Sequence, residues 1–117
     1  MTLLELIRVW LMHPIGHGPP VRCAGCDRVR TPEGPMFISG PSVYLCALCA
    51  ADALVRIAPV APGTGAAASP VERIPTRCSF CGRQVEEARG LLGLAHAAIC
   101  RDCIELTNEV FARDSQR

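Results

Sequence analysis

Lysine is missing from this chain, although it carries twelve arginines. Without lysine no phosphate-binding loop of the G-x4-G-K-S/T type can be written, so a P-loop nucleotide motor is excluded. Aromatic residues are nearly as scarce, with one tryptophan, one tyrosine and three phenylalanines. Half of the residues are apolar, but alanine and cysteine supply much of that half, so any core is thin. The N-terminal apolar stretch is far too short to cross a bilayer. Residues 1–12 also carry Glu5 among their apolar residues and lack the basic start and small-residue cleavage site of a signal peptide. These absences lead us to expect a cytoplasmic chain with reduced thiols.

What the chain has in plenty is cysteine, in a pattern that occurs twice. Cys23-x2-Cys26 is followed by Cys46-x2-Cys49, and Cys78-x2-Cys81 by Cys100-x2-Cys103, which uses all eight cysteines. A two-residue gap lets both thiolates of a pair reach one metal ion from a tight turn, and two such knuckles complete a tetrahedral four-sulfur shell. Each repeat therefore reads as a structural zinc site, giving two Zn2+ per chain. An even cysteine count in a short chain also suits a disulfide scaffold, but nothing here reads as secreted. A thioredoxin-like redox motif needs a βαβ pattern around one pair, which four pairs in two matched sets do not provide.

Each repeat is close to the length below which a hydrophobic core cannot hold a fold unaided. Zinc then supplies folding energy, on the order of 10 kcal/mol per site. Two zinc ions and eight thiolates take the formal charge from +1 to about −3, which argues against a general polyanion binder. Arg22, Arg28 and Arg30 flank the first knuckles, and Arg77, Arg83 and Arg101 the second; we expect them to offset the negative zinc–thiolate centres. Four thiolates close the metal shell and suppress Lewis acidity, and no paired acids or nucleophile–base set accompanies them, so no enzyme is expected.

Five segments follow. Residues 1–20 open with the capping box Thr2-Leu3-Leu4-Glu5, which predicts a short helix presenting Leu3, Leu6, Ile7, Trp10 and Leu11, ended at Pro14, with His13 and His17 in loops. Residues 21–58 form the first module: a knuckle whose tight turn Gly25 suits, a turn at 31–35, strand-like runs at 36–38 and 43–45, and a helix over 50–57 opened by the second knuckle. Residues 59–75, rich in proline, glycine and alanine, read as a coil linker that holds the modules at high effective concentration. Residues 76–114 repeat the plan, with Leu91-Leu92-Gly93-Leu94 and Ala97-Ala98-Ile99 as the apolar middle and a last helix striped by Ile104, Thr107, Asn108 and Phe111. Residues 115–117 are a tail. His96 precedes a knuckle that already has its four cysteines and is not expected to bind metal.

Cys78-Ser79-Phe80-Cys81-Gly82-Arg83, with Cys100-x2-Cys103-Ile104-Glu105-Leu106-Thr107-Asn108-Glu109, resembles the N-terminal zinc-binding domain of the bacterial unfoldase ClpX. Gly40-Pro41-Ser42-Val43-Tyr44-Leu45-Cys46-x2-Cys49 is similar to the segment leading into the second knuckle of that same domain. The resemblance implies small α+β, zinc-stabilised modules: two treble-clef-like zinc fingers in tandem, packed as an internal pseudo-dimer. It implies recognition of substrates, adaptors or the unfoldase itself, without the ATPase. The expected pairing and partner surface comprises Phe37, Val43, Tyr44, Leu91, Leu92, Leu94 and Phe111. The alternative is a nucleic-acid-binding regulator that uses Arg22, Arg28 and Arg30; it is disfavoured by the metal-loaded charge and by the lack of a basic helix interleaved with aromatics.

Overall fold

A cysteine knuckle, a short hairpin and a helix follow one another twice along the chain. The computed structural model describes residues 20–69 and 73–115, so the helix expected near the N-terminus, with His13 and His17, lies outside the described residues. In the first module the elements are β1 (Phe37–Ser39), β2 (Tyr44–Cys46) and α1 (Ala47–Ile57). Then come β3 (Gly65–Ala67), a 3-10 turn (Val85–Glu87), β4 (Leu91–Gly93), β5 (Ala98–Cys100) and α2 (Arg101–Ser115). β1 and β2 pair antiparallel, with Phe37 opposite Cys46, and the Gly40 N–H closes their turn onto the Val43 carbonyl at 2.7 Å. β4 and β5 pair in the same way, Leu91 opposite Cys100, and the Leu94 N–H reaches the Ala97 carbonyl at 2.8 Å.

The two modules share a hydrogen-bond skeleton. The N–H of Cys23 donates to Arg28 and that of Cys78 to Arg83, both at 2.9 Å; Ala24 donates to Tyr44 and Ser79 to Ala98, both at 2.8 Å; Arg30 donates to Val21 at 2.8 Å and Val85 to Thr76 at 2.9 Å. Into the helices, Ala47 donates to Met36 at 2.8 Å and Arg101 to Gly90 at 3.0 Å. The correspondence drops by one residue between Arg30 and Met36, which places the first module's extra residue in the turn over 31–35, where the second module has its 3-10 turn.

The stretch expected to be a coil linker contains β3, which pairs parallel with β4 and makes a three-stranded sheet in the order β3-β4-β5. Its residues are small because the chain crosses it closely. A Cβ on Gly65 would come within 3.1 Å of the Pro75 carbonyl oxygen, and on the neighbouring β4 a Cβ on Gly93 would come within 2.7 Å of that of Arg73. The strand thus ties the connection to the second module.

One apolar cluster runs through both modules: Leu45, Ala50, Ala53 and Ile57 from the first meet Leu92, Leu94, Ile99, Ile104 and Phe111 from the second. The helices contribute matching faces, Ala50, Ala53 and Ile57 on α1 and Ile104, Thr107 and Phe111 on α2, all buried. Small residues on α1 make room for the larger ones on α2. The buried Thr107 hydroxyl donates to the Cys103 carbonyl one turn back, so it enters the core satisfied.

Polar clamps join the halves as well. The Asn108 amide nitrogen donates to the Ala50 carbonyl at 2.9 Å, and the His96 N–H to the Ala24 carbonyl at 3.0 Å. Arg101 sends Nη2 to the carbonyls of Ile57 at 2.7 Å and Val60 at 2.9 Å, placing a cation at the C-terminus of α1, the negative end of its dipole. The sequence reading set Arg101 beside the zinc–thiolate charge; its guanidinium instead caps the other module's helix.

Candidate metal centres

Two chain segments build each centre. The first pair of cysteines sits in a turn where the residue after the second cysteine is left-handed, Asp27 at φ 63° and Gly82 at φ 80°. That conformation aims the N–H back at the first cysteine's carbonyl, at 2.9 Å for Asp27 and 3.0 Å for Gly82. Glycine adopts it freely, and aspartate is among the few other residues that tolerate it. Gly25, expected to serve the turn, serves space instead: a Cβ there would come within 2.9 Å of the Cys49 sulfur. The second pair comes from the end of β2 or β5 and the first turn of α1 or α2.

The structure gathers Cys23, Cys26, Cys46 and Cys49 into one cluster and Cys78, Cys81, Cys100 and Cys103 into another, with the four sulfurs of each within 4.8 Å of one another. None is disulfide-bonded. The sulfurs of Cys26 and Cys46 lie 3.8 Å apart, those of Cys78 and Cys103 3.8 Å, and those of Cys81 and Cys100 3.7 Å. A disulfide needs about 2.05 Å, whereas the edge of a tetrahedron with Zn–S bonds of about 2.3 Å is about 3.8 Å. The donor set and its spacing therefore fit zinc, one ion held by each cluster.

Backbone amides prepare the sulfurs for negative charge. Gly25 and Cys46 donate to the Cys23 sulfur at 3.3 and 3.4 Å. Phe80, Cys81 and Cys100 donate to that of Cys78 at 3.4, 3.5 and 3.4 Å. Burial pushes the Cys23 thiol up, but its amide donors together outweigh burial and bring it down to about 7. A hydrogen bond from the Cys100 thiol, followed by the amides acting against burial, brings Cys78 down to about 4. The neighbours move the other way. Burial, then the charge on Cys78, raises Cys103 to about 12; burial raises Cys46 and Cys49; and the Cys78 thiolate, then burial, raises Cys100. The protein alone thus favours thiolate at Cys23 and Cys78 and disfavours it at Cys46, Cys49, Cys100 and Cys103, and a bound dication would bring those raised thiols to thiolate.

The surroundings of the two centres differ. Beside the second, Arg83 pairs with Asp102 at 2.6 Å, and Arg89 joins Asp102 to Glu105, which it meets at 2.8 Å. Beside the first, Arg22 approaches Asp27 at 3.9 Å, and among the described residues Arg28 and Arg30 form no ion pair. His96 belongs to neither cluster.

The expected partner surface divides. Leu91, Leu92, Leu94 and Phe111 are buried, so they are core residues and not a docking surface. Leu92, Leu94 and Phe111 pack in the cluster shared by the modules, and Leu91 packs against Cys78, Ala88, Ala98 and Cys100. Phe37 is half-buried against the shared core. Val43 and Tyr44 stay accessible, lining a cleft of about 310 Å³ where His96 of the second module faces Arg22 and Asp27 of the first. The sequence reading missed Leu48, Val55 and Leu106, which are exposed on the helices. Their signal was present: Leu48 and Val55 lie seven apart, on the face of α1 opposite the alanines.

Comparison with known proteins accords with this geometry. Residues 76–113 match the family model of the ClpX C4-type zinc finger. No solved structure matches the chain. The second module is thus similar to a ClpX C4-type zinc finger, and the first four-cysteine cluster, on the same hydrogen-bond skeleton, is consistent with a tandem arrangement of two zinc sites.

Proposed function

We propose that the chain is a non-enzymatic protein-interaction module, in which zinc shapes a surface and performs no reaction. Its units are residues 21–58 and 76–114, paired within one chain as an internal pseudo-dimer, a reading supported by the matched faces of α1 and α2. The observation that carries the interaction role is the exposure of large apolar side chains on so small a fold: Leu48 is 57% exposed, Val55 74% and Leu106 59%. Leu48 and Val55, seven residues apart, share one face of α1, and contiguous exposed apolar surface marks interaction sites. The match of residues 76–113 to the ClpX C4-type zinc finger supports the same reading.

The test is capture of a protein partner by the zinc-loaded chain. Binding is expected to survive moderate salt, to vanish with a strong zinc chelator and to need no nucleotide. Sub-micromolar DNA or RNA binding that weakens steeply between about 50 and 200 mM salt would overturn it.

A further inference from the structure

The duplication lets each surface position be compared with its counterpart in the other half. Arg28 and Arg83 hold the same backbone position, each accepting the N–H of its module's first cysteine. Leu48 and Asp102 are likewise equivalent, each the second helical residue between the cysteines of a knuckle. In the second module these positions pair, Arg83 to Asp102 at 2.6 Å. In the first, the carboxylate is replaced by an exposed leucine, and among the described residues Arg28 has no anionic partner. The change continues along the helix, where Glu105 and Glu109 on α2 correspond to Ala51 and Val55 on α1. α1 has no acidic residue in its first turn, while α2 has Asp102 there. One half therefore places three carboxylates along this face; the other places Leu48, Ala51 and Val55 there, flanked by the Asp52–Arg56 ion pair and by Arg28, which has no anionic partner among the described residues.

We propose that the outer face of α1, formed by Leu48, Ala51 and Val55 with Arg28 at its edge, docks an apolar, acidic segment of a partner protein. The partner's apolar residues cover Leu48 and Val55, and its carboxylate takes the place at Arg28 that Asp102 takes at Arg83. This rests on the protein-interaction reading and names the face and the chemistry of its partner. The complementarity singles out a carboxylate: a nucleic acid would meet a face whose centre is leucine and valine, and a second copy would bring the same arginine against itself.

The probe is a fluorescein-labelled amphipathic peptide of about 12 leucine, alanine and glutamate residues, titrated into the zinc-loaded full chain. Anisotropy measures affinity, and amide shifts in NMR locate the contact. The glutamate peptide is expected to shift α1 amides. Its glutamine analogue should bind about three- to fivefold more weakly, the scale of one exposed ion pair, and its lysine analogue more weakly still. Leu48→Asp restores an internal partner for Arg28 and removes the apolar centre, so it should weaken binding at least about tenfold while two zinc ions remain bound. Arg28→Gln should abolish the preference for glutamate over glutamine. Binding unaffected by Leu48→Asp, equal affinity for the lysine peptide, or no binding by the intact chain would each overturn the proposal. Self-association of the intact chain abolished by Leu48→Asp would overturn it in favour of a second copy. If a captured protein is held equally well by Leu48→Asp, the interaction reading stands and this inference falls.

Discussion

Ile104→Ala tests whether the two modules form one cooperative structure. Ile104 is fully buried in the cluster that also holds Ala50, Ala53 and Ile57 from the other half, on the face of α2 turned toward α1. Truncation removes three carbons, about 2.5 kcal/mol at roughly 0.8 kcal/mol per buried CH2. Incomplete collapse around the space raises the cost to about 3–4 kcal/mol, a large part of the stability of a small domain. Because the opposing α1 side chains are alanines, they cannot lean in to fill the gap. Zinc-loaded wild type and variant should be compared by urea denaturation and by amide hydrogen exchange, with the Leu45 and Ala53 amides reporting on the first module and that of Ile99 on the second. The expected outcome is a shared loss of protection of similar size in both. Protection lost in the second module while Leu45 and Ala53 keep theirs would refute the single-core argument.

Metal analysis should find two zinc ions per chain, and X-ray absorption an all-sulfur shell; one ion, or nitrogen in the shell, would contradict the two-cluster geometry. Cys81→Ser should lose its own zinc and unfold its module, a cost on the order of 10 kcal/mol against which the thin core offers little; NMR dispersion over residues 76–114 is the measure. Arg101→Ala leaves the carbonyls of Ile57 and Val60 without their cation and should cost about 1–3 kcal/mol, with hydrogen exchange rising at the C-terminal end of α1 although the mutated residue lies in the other module. Arg89, then Arg83, holds the Asp102 carboxyl below its usual range. A depressed folded value contributes stability above the unfolded value of about 3.9 and loses it as pH falls through the folded one. The Asp102 carboxyl carbon should therefore keep its ionised shift on acidification to about pH 4 and begin to titrate at higher pH in Arg89→Ala.

The cysteine spacing carried most of the fold, because a knuckle at a helix start fixes where that helix begins and where the preceding hairpin must end. β3 was hidden for a physical reason: Gly65, Ala66 and Ala67 have no alternation to read, and they form a strand only because β4 lies alongside them and the chain over 73–75 packs on them. Leu92 meets the other module as the pairing expectation has it, but Leu91, expected at the surface, is buried, because adjacent strand residues face opposite ways and only one side of a strand in a small module is expected to be covered. β4 buries both, Leu91 toward the second zinc centre and Leu92 toward α1 and the shared core. Whether Arg101 faces a zinc centre or a helix end depends on how the halves pack, which local sequence does not encode.

Fusion of two fingers in one chain also changes what each surface is free to become. In a symmetric homodimer a residue at the axis meets its own copy, so a face must suit itself, and any substitution occurs twice. Here the equivalents are separate residues. Ala50 and Ala53 could stay small while Ile104 and Thr107 filled the space they left. The same freedom extends outward. Asp102, Glu105 and Glu109 line one helix with carboxylates, while Leu48, Ala51 and Val55 hold the equivalent positions on the other. A homodimer carrying Leu48 twice would expose twice the apolar area and present two docking faces; the tandem chain presents one, with a single Arg28 at its edge. A one-to-one complex follows from that asymmetry, whereas a symmetric pair of fingers would bind two partner segments.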